Sequence, residues 1–350
     1  MVKLLSRKFS DDNVVFYENI ASNALKLHGG SHCLFSDSLV KVAKSYTGIG
    51  FWEQVKRGSD FIDIGGIDKY KKYDLEPLIN ADLIHLHGGG YLNNYDPEKG
   101  FYIGLLSSLN DKYNTRIQAT GIGFGPVPTP NTDDVETIRK IFSRFHSFEL
   151  RDVDNFRSLA SLFPGINFIY GTDDSYLHPI NDLVFFDDSQ KRLYLSLLQY
   201  NLDKYTESFW DELVSVSKDF DEIYFVESYP WQDSDVFEKL KSKIGQLQLI
   251  TVQEMLNKRI SVGVNDLALC ARFHVHYLFA RCNISGVYFQ DSKYYDIKHQ
   301  SIVDRGSNLN HCSYKNLDYK KSQTRSYISL QDENLVLQKK KFVDYLFSDF

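Results

Sequence analysis

The sequence predicts an α/β protein of two Rossmann-like domains on parallel sheets, facing one another across a cleft. Three observations predict it. The chain has 350 residues, long for a single domain. Short apolar runs alternate with amphipathic segments of helical spacing. A polar, turn-rich stretch, HPINDLVFFDDSQK (178–191), splits that series in two.

In the first half, residues 12–27 and 36–46 have helical spacing. Strand-like runs follow at 60–65, 82–87, 116–123, 147–152 and 166–171, with amphipathic segments at 101–112, 133–145 and 152–162 between the later ones. In the second half, strands are expected at 192–198, 222–227, 247–251, 266–271 and 285–290. Helices at 205–219, 233–243, 252–258 and 273–281 separate them. The expected division is an N-terminal domain over 1–180, a C-terminal domain over 181–330 and a closing helix over 331–350.

Composition narrows the function classes. With 43% hydrophobic residues and a net charge of −6, the chain can bury sizeable cores, and nothing suggests binding to nucleic acid. The 25 Phe and 23 Tyr read mainly as core. Four cysteines, Cys33, Cys270, Cys282 and Cys312, have no metal-site spacing and read as reduced thiols. The opening MVKLLSRKFSDD lacks a signal-peptide core, and no run reaches the length of a membrane span. A cytoplasmic enzyme is expected, with peripheral contact at the inner face of the membrane left open.

Ligands of parallel α/β sheets sit outside the carboxyl ends of the strands, where the candidate residues fall. ADLIHLHGGGYLNN (81–94) sets His85 and His87 beside Gly88, Gly89 and Gly90, as if something must approach a bare backbone. ATGIGFGP (119–126) adds Gly121, Gly123 and Gly125, without the spacing of a dinucleotide fingerprint. Arg151 closes the SFELRD run, as an anion ligand or a structural ion-pair partner. Asp173 and Asp174, in GTDDSYL, could act as base, orient a hydroxyl, or cap a turn.

DLALCARFHVHYLFARC (266–282) is the most telling stretch, since a buried strand runs straight into Arg272 and a helix start. Arg272 offers a permanently charged fork suited to carboxylate or phosphate. The helix N-terminus adds N–H groups and positive dipole, with His274 in its first turn able to exchange a proton. His276 faces away and reads as structural. Lys293, Lys298 and His299 follow the next strand; one of them could reach the same anion, although a solvated loop is the commoner explanation for such residues.

Sharper motifs are missing: no G-x-S-x-G elbow accompanies the HGGG run, and there is no Walker A loop. The D-x-D triplets Asp152/Asp154 and Asp233/Asp235 read as helical, so no metal is expected.

In order and spacing, the blocks DLIHLHGGGYL, GIGFGP, FELRDVDN with GTDDSYL, and DLALCARFHVHYLFA with YYDIKH resemble the polysaccharide pyruvyl transferase family, over residues 82 to about 299. The first 80 residues depart from it: DDNVVFYENI stands where members often carry a G-N-x-G-D-like turn. The resemblance implies a GT-B-like fold and transfer of the carboxyvinyl unit of phosphoenolpyruvate to a sugar, free or lipid-linked, as a pyruvate ketal. No cofactor is implied beyond that donor. Arg151 and Arg272 would hold its two anionic groups, and His274 would protonate the methylene carbon. Asp173, Asp174, His85 or His87 would take the hydroxyl proton, while the glycines would let donor or acceptor reach the backbone. The alternative is a GT-B glycosyltransferase using a nucleotide sugar. A silent carbohydrate-binding protein is disfavoured, because strand-end Arg and His are costly to keep buried without use.

Overall fold

A computed structural model of the chain describes residues 33–46, 48–230, 232–290, 292–317 and 325–349, together with 14–19, 21–28, Leu5 and Phe9. It is an α/β protein with two parallel sheets, in compact units Met1–Leu177 and His178–Phe350.

In the first unit, β1 (Val15–Tyr17) and β2 (Leu34–Ser36) form a small parallel pair, with α1 (Ala21–His28) between them and α2 (Ser38–Lys44) and α3 (Phe51–Asp60) after it. The main sheet comprises β3 (Leu83–Leu86), β4 (Gly89–Leu92), β5 (Arg116–Phe124), β6 (Ser147–Leu150) and β7 (Phe168–Tyr170). Its order is β3-β5-β6-β7, with β4 also on β5, and all pairings are parallel. Helices α4 (Gly100–Tyr113), α5 (Val135–Phe142) and α6 (Val153–Leu162) connect the strands. Residues 117–124 of β5 are buried, as a central parallel strand covered on both faces requires.

In the second unit, β8 (Val184–Phe186) pairs with β12 (Ile260–Val262). The large sheet contains β9 (Arg192–Ser196), β10 (Glu222–Val226), β11 (Gln248–Ile250), β13 (Leu267–Cys270), β14 (Ser285–Phe289) and β15 (Asn310–Cys312), in the order β11-β10-β9-β13-β14-β15. Its helices are α7 (Glu207–Ser217), α8 (Ser234–Lys243), α9 (Val252–Asn257), α10 (Phe273–Arg281), α11 (Lys293–Val303) and α12 (Tyr327–Leu346). The chain enters at β9, steps outward to β10 and β11, then returns to β13 on the other side. The order therefore reverses between β9 and β13, the place where a parallel sheet opens a crevice for ligand.

Five local expectations need correction. The 12–27 segment is not one helix: Val15–Tyr17 is a strand, and only 21–28 is helical, while 11–13 and 20 lie outside the described residues. Aromatic and β-branched residues suit the strand. The 60–65 run is not a strand but the end of α3 and the turn after it, because Phe51, Val55 and Phe61 belong to the helical apolar spacing. Residues 293–303 form a helix rather than a loop, with Ser292 accepting from the Tyr295 amide at its N-cap. The stretch 178–191 holds strand β8. The closing helix starts earlier than expected, at Tyr327, and the buried Arg281–Asp332 ion pair ties it to α10.

Helices α3 and α4 meet backbone to backbone. A Cβ on Gly58 would collide with the Phe101 carbonyl, one on Gly104 with the Val55 carbonyl, and one on Gly100 with the Phe51 carbonyl. Three glycines thus let the helices approach closer than side chains allow. Gly104→Ala should cost about 2–3 kcal/mol through overpacking, read as a lowered urea midpoint, and a shift of under about 0.5 kcal/mol would refute the close crossing.

Candidate functional site

At the carboxyl edge of the first sheet, β3 and β4 run along the same side of β5 and are separated at His87–Gly88. The register between β5 and β6 shifts between Ala119 and Ile122, around Gly121 with φ +60. Asp174 fills both irregularities. Its Oδ2 accepts from the Gly88 amide at 2.7 Å and from Thr120 Oγ1 at 3.0 Å. A Cβ on Gly121 would lie 2.7 Å from Asp174 Oδ1, and one on Gly88 3.0 Å from Asp174 Cβ.

Neighbouring carboxylates act alike. Glu149 accepts from the Gly121 amide at 2.9 Å and the Thr172 amide at 3.3 Å, and its carboxyl occupies the space a Cβ on Gly171 would need. Asp152 accepts from the Phe124 amide at 3.0 Å; burial pushes its carboxyl up, against the pull of the Arg151 guanidinium. Arg151, only 2% exposed, is ion-paired to Asp173 and lies where a Cβ on Gly123 would come within 2.7 Å of its Nη2. Asp173 also accepts from the Ser175 amide at 2.8 Å.

His85 belongs to this network. Gln118 Nε2 donates to His85 Nδ1 at 3.2 Å, so His85 Nε2 donates to Thr120 Oγ1 at 2.9 Å, and Thr120 donates onward to Asp174. His87 has different company. It is half-buried, its Nε2 is 4.0 Å from Glu18 Oε1, and the Phe16 ring meets it edge-on. Burial pushes its imidazole down, Asp174 opposing, which favours the neutral form. Gly89 has φ +154 and a Cβ there would meet the Tyr91 ring, whose hydroxyl donates to the His87 carbonyl at 3.1 Å. The first unit thus brings His85, Gly88, Gly123, Arg151, Asp173 and Asp174 together at one largely buried edge, and its own charged side chains occupy the space that Gly88, Gly121 and Gly123 leave. Asp174→Ala strands two buried donors and should cost about 2–4 kcal/mol, whereas Asp174→Asn, which keeps one acceptor oxygen, should cost less; equal urea midpoints for the two variants would refute the brace.

At the reversal point of the second sheet, β13 delivers Arg272 to the N-cap of α10. Its guanidinium pairs with Asp233, which is 1% exposed and also accepts from the Ser228 and Tyr229 amides at 2.9 Å each. Asp233 thereby ties the loop after β10 to the turn after β13. Among the described residues, Arg272 Nε, Ser196 Oγ and Ser228 Oγ are buried without a hydrogen-bond partner. Ser196 is the register partner of Cys270, and the tilted contact of the Tyr194 and Phe279 rings at 4.7 Å puts this face of β9 against α10. Arg272 offers no acceptor to cap α10, so the edge gathers a guanidinium, two hydroxyls and the positive end of a nine-residue helix. That set suits an anion with several oxygens. His274 is exposed on the first turn, beside the Phe273 ring. Lys298 lies on α11, its ammonium 3.8 Å from the centre of the Tyr294 ring.

Sequence reasoning missed Asp233 as the partner of Arg272, because they are 39 positions apart. It also missed Glu149, Thr120 and Gln118, whose residue types carry no motif. His276 and His299 are buried against each other, Nδ1 to Nδ1 at 2.9 Å, and burial pushes both imidazoles down, His299 to about 3. The unfolded chain takes up these protons near the ordinary value of 6.5, so below it the unfolded state binds more protons than the folded one. Stability should therefore fall as pH drops from about 6.5 toward 3, by up to about 1.4 kcal/mol per unit for each imidazole. Urea unfolding between pH 4.5 and 8 checks this, and the slope should be shallower in His299→Phe.

No protein-family model matches this chain, and no curated protein matches it. Solved structures similar to it include a glycosyltransferase from Rickettsia africae (10% identity, 97% of this chain and 88% of that one, TM-score 0.45). S. aureus MnaA with UDP gives 11% identity, 98% and 83% coverage and a TM-score of 0.46. The UDP-GlcNAc 2-epimerase of Neisseria meningitidis, bound to UDP-GlcNAc, gives 10%, 95%, 91% and 0.43. The fold assignment rests on the strand order itself.

Proposed function

We propose that this chain is a transferase acting on sugars, and that its second unit holds a phosphate-bearing donor at Arg272 and the start of α10. The supporting observation is Arg272, which delivers its guanidinium to the start of α10 without capping it and, among the described residues, has a buried Nε with no partner, at the reversal point of the sheet. Within that class we read it as a pyruvyltransferase using phosphoenolpyruvate, on the strength of the four ordered sequence blocks. The reaction protonates the donor's methylene carbon, giving an oxocarbenium-like C2. One sugar hydroxyl adds there, phosphate leaves with its electron pair, and the second hydroxyl closes the ketal. Exposed His274, in the first turn of α10, is the proposed acid.

The acceptor's proton needs a base. Asp173 is engaged with Arg151, and Asp174 with Gly88 and Thr120. His85 already donates through its Nε2. His87, half-buried and held neutral, is the better proposal. The buried pairing of Arg151 leaves the anion to Arg272. One observation favours the second reading, a glycosyltransferase using a nucleotide sugar: Asp296 sits in the first turn of α11, after β14, the strand next to β13. A carboxylate there could accept from ribose hydroxyls.

Thermal-shift titration with phosphoenolpyruvate against a panel of nucleotide sugars separates the readings, followed by mass spectrometry of candidate glycans. The pyruvyl reading expects a shift with phosphoenolpyruvate and a ketal mass on the glycan; a shift with a nucleotide sugar alone overturns it. Arg272→Lys keeps the charge but loses the fork, so donor Kd should rise about tenfold or more. Unchanged Kd in the folded variant would remove Arg272 from the site.

A further inference from the structure

Two fully buried histidines, His276 on α10 and His299 on α11, are not used by the chemistry above. Their Nδ1 atoms lie 2.9 Å apart, His276 Nε2 is 2.8 Å from Ser307 Oγ, and His299 Nε2 is 3.3 Å from the Ala271 carbonyl oxygen. Both rings stack on Tyr288, at 4.8 and 5.2 Å.

The acceptor at one end fixes every proton. A carbonyl oxygen only accepts, so His299 Nε2 bears hydrogen. A neutral imidazole carries one N–H, so His299 Nδ1 accepts and His276 Nδ1 donates to it. His276 Nε2 is then an acceptor and takes the Ser307 hydroxyl proton. Ser307 Oγ in turn accepts from the Leu309 amide at 3.1 Å. The chain of bonds runs one way, from Ser307 to Ala271; an added proton on His299 would set two N–H groups face to face, and one on His276 Nε2 would turn the Ser307 bond around.

Ala271 immediately precedes Arg272, and its own amide donates to the Ser196 carbonyl at 2.6 Å. The peptide plane joining Ala271 to Arg272 is rigid, so fixing that carbonyl fixes the direction in which Arg272 leaves the sheet. We propose that His276 and His299 are positioning residues, a one-way chain of neutral hydrogen bonds that holds the Ala271–Arg272 turn and the start of α10 in their anion-binding arrangement. The inference rests on the donor-binding reading of that turn.

The experiment reads geometry and binding separately. Nitrogen-15 NMR of the histidine side chains in the wild-type protein should give His299 as the Nε2–H tautomer and His276 as the Nδ1–H tautomer; the opposite pair overturns the proposal even if no variant folds. His299→Phe keeps an aromatic ring for the Tyr288 stack but has no N–H. Amide exchange over residues 271–275 should then quicken about fivefold or more, with α12 unchanged, and Kd for phosphoenolpyruvate or a UDP-sugar should rise by a similar factor. Unchanged exchange at 271–275 in the folded variant overturns positioning. Faster exchange, with neither compound bound by the wild type, leaves the positioning role standing and removes the donor reading.

Discussion

A carboxylate taken out of water must be given hydrogen-bond donors, and the first unit supplies them from its own main chain. Asp174 bonds the Gly88 amide, Glu149 the Gly121 and Thr172 amides, and Asp152 the Phe124 amide. The Gly88, Gly121 and Phe124 amides lie at or near an irregularity of the sheet and the Thr172 amide just past the end of β7, so the buried acids set the shape of the carboxyl edge as surely as the strands do. Remove the acids and the interruption between β3 and β4 has nothing to satisfy it. Arg151 is the counter-charge that makes the cluster tolerable, which is why it is spent within the fold.

The second unit solves a different problem at the same place in its sheet. There, among the described residues, one acid, Asp233, holds one arginine, which is 13% exposed at its side chain where Arg151 is 2%. A strand-end arginine inside an ion-pair cluster has its charge used up; one held by a single carboxylate at a helix start keeps part of its fork for an incoming oxygen. Arg151 and Arg272 look alike in the sequence, each closing an apolar strand before a helix, and only their neighbours separate them.

That difference marks how far the sequence could be read. The strands of both large sheets were legible from apolar runs, apart from β4, which opens on two glycines, and β15, whose Asn-His-Cys is mostly polar. Helix α3 was missed because its turn residues Phe61 and Ile64 mimic a strand. Positions of His85, Gly88, Gly123, Arg151, Asp173 and Asp174 at strand ends were legible; what fills the glycine space was not, because Asp174 and Gly88 are 86 positions apart. Likewise His276 reads as structural by its helical phase, but nothing local says that its partner is His299.

The crossing of α3 over α4 has a mechanical consequence. Where two helices touch through main-chain atoms there are no rotamers to exchange and no side chains to compress, so the contact cannot yield by small steps. The Gly58–Gly104 seam therefore makes the two helices a single stiff plate lying on β5, and any breathing of the first unit must hinge outside them.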